Sequence, residues 1–196
     1  PRPRVNDSTP PPPADLPPGY PADLERVWQA ADGTSVRIRA LRPDDLDREM
    51  AFIAGLSEQT LYLRLQYSSR EVPREDAARL LELDYRDRMA IGALVGDGDD
   101  AALIGVSRYA RIEDTERAEC AIVVTDAWHG RGIGTELMRS LAQAARSNGI
   151  RTLVGSSLAE NQRLQAWARR FGFDVRTEPH SGGAMLITAD LGTLPT

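Results

Sequence analysis

The stretch that decides the fold is AIVVTDAWHGRGIGTELMRSLAQAAR, residues 121–146. It begins as an apolar run typical of a buried strand and ends with apolar residues at helical spacing. Three glycines, Gly130, Gly132 and Gly134, stand where the strand passes into the first turn of the helix. Backbone N–H groups are free there, the helix dipole is positive, and glycines allow a ligand to approach closely. The segment therefore predicts an anion site, most naturally for phosphate, to which Arg131 adds a charged contact.

The loop alone leaves a second interpretation open. Its spacing differs from the GxGxxG pattern of dinucleotide-binding folds, so a Rossmann loop is disfavoured. A glycine-rich turn is equally consistent with tight packing between a helix and a strand. Other parts of the sequence are needed to distinguish a phosphate site from a turn that only packs tightly.

Composition excludes several classes of protein. The chain has 196 residues, 41% of them hydrophobic and 27% charged, which is typical of one folded domain with or without a tail. All 24 basic residues are arginine, so every mechanism that needs an internal lysine is excluded. The net charge of −5 disfavours nucleic acid as a partner. With Cys120 as the single cysteine and only two histidines, neither an intrachain disulfide nor a Cys/His zinc site is expected.

The chain lacks the signals of secretion and of membrane insertion. No apolar stretch approaches the roughly 18 residues that a spanning helix needs, and no signal peptide is visible. We therefore expect a cytoplasmic protein with no membrane partner and no metal.

Proline divides the sequence into two parts. Nine of the 13 prolines lie within the first 21 residues, so residues 1–22 are predicted to be a disordered tail and residues 23–196 a single domain. The domain reads as two strands, three helices, three strands, a helix, a strand, a helix and two strands. Asp44 is the predicted N-cap of the first helix. Hairpins with one strand–helix–strand crossover predict an α+β fold, with a mixed, mostly antiparallel sheet and helices packed on both faces.

A second motif, AENQRLQAWARRFGF at residues 159–173, completes a family pattern. Together with residues 121–146, it resembles the GNAT superfamily of N-acetyltransferases, and the order of elements fits that fold from about residue 26 to 190. The resemblance implies a GNAT fold and acetyl-CoA as co-substrate. His129 stands where the superfamily usually has glutamine or arginine, and Ala168 stands where many members have a tyrosine that acts as general acid.

The resemblance also implies a coenzyme site. The pyrophosphate would lie on the amides of residues 131–135, the pantetheine arm along Val123 and Val124, and Asn161 would contact the coenzyme near its reacting end. The residues assigned to the coenzyme are Val123, Val124, His129, Gly130, Arg131, Gly132, Ile133, Gly134, Thr135 and Asn161.

Acetyl transfer to an amine needs a base, because an ammonium group with a pKa of about 10.4 cannot attack a thioester. Glu119, in the strand that leads into the glycine loop, is the candidate catalytic residue. By position alone, the favoured interpretation of Glu119 is a carboxylate at the edge of a sheet. Glu113 and Glu116 lie in a polar loop, where solvated side chains are expected.

A narrower resemblance favours Glu119. The segments DGTSVRIRALRPDD, LSEQTLYLRLQY, LDYRDRMAIGALV and AECAIVV resemble bacterial protein lysine acetyltransferases that modify acyl-CoA synthetases. In that group, the glutamate matching Glu119 is the general base and alanine at position 168 is ordinary. Tyr62, Arg64 and Tyr67 lie in the region that covers the acceptor side in this family.

The function that follows is N-acetyl transfer from acetyl-CoA to a primary amine by direct attack. The expected partner is a protein lysine side chain, in the first place on an acyl-CoA synthetase. Two alternatives stay open: an acetyltransferase for small amines, and a non-catalytic sensor that binds acyl-CoA.

Overall fold

The computed structural model describes residues 16–65, 72–177 and 184–194. Its strands are β1 (Arg26–Gln29), β2 (Ser35–Ala40), β3 (Arg88–Val95), β4 (Ala102–Arg111), β5 (Arg117–Val124), β6 (Thr152–Leu158), β7 (Asp174–Thr177) and β8 (Ala184–Asp190). Its helices are α1 (Leu46–Ala54), α2 (Glu58–Leu65), α3 (Arg74–Arg79), α4 (Ile133–Ser147) and α5 (Gln162–Phe171). None of these helices is long and apolar enough to cross a membrane.

The strands form one sheet in the order β1-β2-β3-β4-β5-β6-β8-β7. Every neighbouring pair is antiparallel except β5 and β6, which are parallel. The parallel pair is joined by α4, the crossover helix that a parallel connection requires. This arrangement confirms the predicted mixed, mostly antiparallel sheet.

Both faces of the sheet are covered by helices. In β3, Met89, Ile91 and Ala93 turn into one core cluster, which also contains the apolar residues of α4 and α5. The alternate residues Ala90 and Leu94 turn into a second cluster with α1. A strand that is buried on both sides needs apolar residues at successive positions, which is the composition of β3 from Met89 to Val95.

Helix α4 begins and ends as the sequence predicts. Ile133, Leu137, Leu141 and Ala145 recur every four residues and are all buried against the sheet. At its end, Asn148 Nδ2 donates hydrogen bonds to Tyr85 O at 3.0 Å and Tyr109 Oη at 2.9 Å. The helix is therefore fixed to the sheet along its length and at its C-terminus.

The start of α1 differs from the prediction by one residue. Asp45, not Asp44, precedes the helix, and its carboxylate is buried. Both of its oxygens accept hydrogen bonds from Arg39 of β2, each at 2.7 Å, and Oδ2 also accepts the Arg42 amide at 2.9 Å. Asp44 remains largely exposed. The buried ion pair with Arg39 of β2 determines that Asp45 is the residue before α1, and local capping preferences do not predict a partner in another element.

The chain before β1 already contacts the domain. The Tyr20 ring packs edge-on against Tyr85 with centroids 5.4 Å apart, and its hydroxyl donates to Ala40 O at 3.1 Å. Residues 1–15 of the predicted tail lie outside the described residues, but Tyr20 packs on the domain although the sequence assigns it to the tail.

We expect Asp45→Ala to lower the free energy of unfolding by about 3–5 kcal/mol, because it leaves Arg39 buried without its counter-charge. Urea denaturation measures this loss. Asp44→Ala is the matched control and should change the stability by no more than about 0.5 kcal/mol. Equal losses in the two variants would contradict the assignment of the buried pair.

The same pair makes stability depend on pH. Burial acts to raise the pKa of Asp45, but the hydrogen bonds and charge of Arg39 outweigh it, so the pKa lies below its ordinary value. A carboxyl group with a lowered pKa stabilises the fold above its unfolded pKa of about 3.9 and stops doing so as the pH falls further. As the pH falls below about 4, the free energy of unfolding should therefore decrease less steeply in Asp45→Asn than in the native chain.

Tyr20→Ala should lower the melting temperature by about 4–8 °C, which corresponds to about 2 kcal/mol for a domain of this size. Tyr20→Phe keeps the ring contact and loses only the hydroxyl, so a smaller shift is expected. A melting temperature unchanged in Tyr20→Ala would show that the folded domain begins after this residue.

Candidate active site

The site begins where β5 and β6 separate. Their parallel pairing covers only three positions and ends at the pair Glu119–Val154, which we call the fork. Beyond the fork, β5 stays paired with β4 as far as Val124. Strand β6 stays paired with β8 as far as Leu158. Each strand thus keeps one partner while a gap opens between them.

Strand alternation determines which backbone groups face this gap. The Cys120 carbonyl oxygen lies toward β6, because a Cβ built on Gly155 of β6 would be 3.0 Å from it. The Val123 carbonyl oxygen lies toward β4, because a Cβ built on Gly105 of β4 would be 3.3 Å from it. Since neighbouring residues of a strand point in opposite directions, Ile122 and Val124 turn their N–H and C=O groups toward the gap. The sequence assigned Val123 and Val124 to the coenzyme and missed Ile122.

The glycine loop, residues 129–134, joins the end of β5 to α4. Gly130 and Gly132 have φ of +78° and +88°, in the left-handed region that favours glycine. Gly132 is the residue that caps α4, and a Cβ there would lie 3.2 Å from the Trp28 ring of β1. The loop therefore needs glycine for its backbone angle and for close packing, and it still exposes the first turn of α4.

A groove of about 590 Å³ runs from the gap over the glycine loop, with α2 on one side and α5 on the other. It brings together most of the residues that the sequence assigned to the coenzyme. Those that line it are Val123, Val124, His129, Gly130, Gly132, Ile133, Gly134, Thr135 and Asn161. Arg131 and Glu119 are not among them.

Arg131 does not fill the role expected for its side chain. Its guanidinium donates a hydrogen bond to Asp32 in the β1–β2 turn and lies over the Trp128 ring, 4.5 Å from the centroid. The Thr34 amide and then Arg131 lower the pKa of Asp32, so the pair is ionised at neutral pH. Arg131 anchors the loop to the hairpin, and only its backbone remains a candidate for phosphate.

His129 anchors the loop to β5. Its Nε2 lies 2.8 Å from Val124 O, and because a carbonyl only accepts, Nε2 must carry a proton in this contact. Its Nδ1 lies 3.6 Å from Asp126 Oδ1. The same carboxylate oxygen accepts a hydrogen bond from Thr60 Oγ1 of α2 at 3.1 Å. One lone pair of the Val124 carbonyl is thus already used, and the loop is connected to α2.

Asp126 connects the glycine loop to α2. Partial burial acts to raise its pKa, but hydrogen bonds from Ser57 and Thr60 and the charge of His129 lower it overall. An ionised Asp126 can accept from both hydroxyl groups at the start of α2. The acceptor side and the coenzyme loop are therefore physically linked.

Asn161 has a structural role that the sequence did not predict. Its Oδ1 caps α5 by accepting the Leu164 amide at 3.2 Å. The side-chain Nδ2 remains as the group that can donate into the groove. Asn161 therefore sets the start of α5 and can reach a ligand at the same time.

Glu119 lies at the fork itself. It is exposed, and its carboxylate has no hydrogen bond or ion pair among the described residues. Its side chain is on the sheet face opposite Ala118, which is fully buried. At about 3.3 Å per residue, Glu119 is about 13 Å along β5 from Val123, on the same face. The carboxylate thus stands at the closed end of the gap.

The other predicted acceptor contacts are only partly described. Tyr62 is exposed, and its hydroxyl donates to Glu160 Oε1 at 3.4 Å, which connects α2 to the loop before α5. Tyr67 and the side chain of Arg64 lie outside the described residues. Ala168, where many GNAT members have tyrosine, is buried in the core.

Comparison with known proteins agrees with this geometry. Residues 35–174 match the family model of the acetyltransferase (GNAT) domain. The chain is 34% identical over 148 residues to the acetyltransferase PA5475 of Pseudomonas aeruginosa, which covers 76% of this chain and 80% of that protein. It is 28% identical over 169 residues to the acetyltransferase Pat of Mycolicibacterium smegmatis, covering 86% of this chain but only 46% of that relative.

A solved structure shares the fold. The GNAT domain of S. lividans PAT superposes with a TM-score of 0.79 at 26% identity, covering 87% of this chain and 99% of that domain. The family match spans well over half of the sequence and includes the fork and the glycine loop. The chain therefore belongs to the GNAT family and is an acetyl-CoA-dependent acetyltransferase.

Proposed function

We propose that this enzyme transfers the acetyl group of acetyl-CoA to the side-chain amine of a protein lysine, with Glu119 as the general base. The observation that carries the proposal is the position of Glu119 at the fork, at the closed end of a gap whose open end is the glycine loop. A donor that lies along the gap has its phosphates at one end and its reacting end near a carboxylate.

The coenzyme would be held mainly by backbone groups. Free N–H groups in the first turn of α4 and its dipole suit the pyrophosphate. The N–H and C=O groups of Ile122 and the N–H of Val124 suit the amides of the pantetheine arm, which would extend the edge of β5. His129 would act indirectly, by holding Val124 and the loop in place.

The chemistry is a direct displacement. Glu119 takes a proton from the ammonium group, directly or through one water, and the free amine attacks the thioester carbonyl carbon. Backbone N–H groups at the gap edge polarise that carbonyl. A C–N bond forms, the C–S bond breaks, the coenzyme leaves as a thiolate, and the nitrogen releases its second proton to water or to that thiolate. With alanine at position 168, no tyrosine from α5 is present to protonate it.

The choice of a lysine acceptor rests on the resemblance to protein lysine acetyltransferases. That resemblance extends beyond the coenzyme motif into β2, α2 and β3, which precede the motif in the chain. These elements build the acceptor side, whereas the fold alone does not determine a substrate. Acyl-CoA synthetases are the first targets to examine.

Replacement of Gly132 tests the coenzyme site. We expect Gly132→Ala to abolish most of the rise in melting temperature that millimolar acetyl-CoA gives the native chain, because the new Cβ disturbs the loop. Gly149→Ala is a matched control, since Gly149 has a φ of +75° but open space around it at the far end of α4. A normal acetyl-CoA response in Gly132→Ala would contradict the site.

Replacement of the base tests the chemistry. Glu119→Gln should bind acetyl-CoA with unchanged affinity and lower kcat by about 10²- to 10⁴-fold. The loss should shrink at high pH, where more of the amine is already deprotonated. Glu113→Gln, an exposed change in the loop before β5, should leave kcat unchanged. A normal kcat in Glu119→Gln would assign the proton transfer to another group.

The acceptor can be identified with labelled acetyl-CoA, by adding the enzyme to a cell extract, to purified acyl-CoA synthetase and to a panel of small amines. We expect label on lysine side chains of discrete proteins. The enzyme itself contains no lysine, so lysine-bound label must come from a target. Label that passes only into small amines would overturn the lysine assignment and leave the acetyltransferase activity intact.

A further inference from the structure

One wall of the groove is basic. Arg163 and Arg170 lie four residues before and three residues after Trp167 on α5, so the three side chains share one helix face. All three line the groove together with Thr135 of α4. Trp167 Nε1 donates a hydrogen bond to Thr135 Oγ1 at 3.3 Å, which holds this face beside the first turn of α4.

The side chains of these two arginines have no partner among the residues that the structure describes. Both are exposed, and neither has a hydrogen bond or ion pair among the described residues. Most other described arginines bind a carboxylate or a carbonyl, as Arg26, Arg39 and Arg111 do. Arg163 also lies in the first turn of α5, where a positive charge opposes the helix dipole. The helix itself gains nothing from a cation at that position.

The two cations on the α5 wall of the groove point to a phosphate. Among the described residues that line it, Arg163 and Arg170 are the only arginines, in a chain whose net charge is −5. Coenzyme A carries a pyrophosphate and a separate 3′-phosphate on its ribose. The amides and dipole of α4 serve the pyrophosphate. A phosphate monoester carries close to two negative charges at neutral pH, and the glycine loop offers the second phosphate no side-chain cation, because Arg131 is bound to Asp32.

We propose that Arg163 and Arg170 bind the 3′-phosphate of the coenzyme and make this enzyme select acetyl-CoA over acetyl-3′-dephospho-CoA. The guanidinium groups donate charge-assisted hydrogen bonds to the phosphate oxygens. The assignment concerns the donor alone, so it holds whichever amine accepts the acetyl group.

Calorimetry on the full chain with both donors tests the assignment without an acceptor. The native chain should bind acetyl-CoA about 10- to 100-fold more tightly than acetyl-3′-dephospho-CoA. Arg163→Gln and Arg170→Gln should each weaken binding of acetyl-CoA by about tenfold and change binding of the dephospho donor by less than about twofold. Both positions are exposed, so the melting temperature without ligand should be unchanged.

Arg169→Gln is the matched control. Arg169 lies on the same helix, is exposed and has no described partner, but it does not line the groove. Its replacement removes the same charge and should leave both affinities unchanged. Equal binding of the two donors by the native chain would overturn the proposal. A loss of acetyl-CoA affinity in Arg169→Gln as large as in the other two variants would also overturn it. If Arg163→Gln and Arg170→Gln weakened binding of both donors equally, the arginines would be assigned to the pyrophosphate and the proposal would again be overturned.

Discussion

The site depends on one constraint, the early end of the parallel pairing between β5 and β6. Because β4 and β8 continue to pair with the outer edges of these strands, the sheet can open at this one seam without losing either strand. The backbone groups of Ile122 and Val124 are then left facing the gap. A polar group in such a gap must be satisfied by water or by a ligand, so the fold itself creates a binding edge.

The glycine loop is held from three directions at the open end of this gap. The β1–β2 hairpin holds it through Trp28 and Asp32, β5 through the His129–Val124 contact, and α2 through Asp126. A loop so fixed keeps its N–H groups oriented before a ligand arrives, which lowers the ordering cost of binding.

The sequence predicts features that depend on local pattern and misses those that depend on distant partners. Helix α4 is predicted to the residue, because its apolar period and its glycine and asparagine ends are local signals. The role of Arg131 is missed because its partner Asp32 lies 99 positions earlier in the chain. Ile122 is missed because the direction of a backbone group follows from sheet register, which a single sequence does not contain.

The absence of lysine has a physical consequence for an enzyme that handles an activated acetyl group. A lysine in an ion pair loses its charge when it is acetylated, and the pair is lost with it. In this chain the corresponding contacts use guanidinium groups, which stay protonated and do not compete as amine nucleophiles. The buried Arg39–Asp45 pair and the Arg131–Asp32 anchor are therefore protected from acetylation by the enzyme's own co-substrate.

Arginine also supplies a planar fork of donors, which suits the two-point contact seen between Arg39 and Asp45. The same residue type holds the fold together in these pairs and, at Arg163 and Arg170 of α5, lines the groove with no side-chain partner among the described residues.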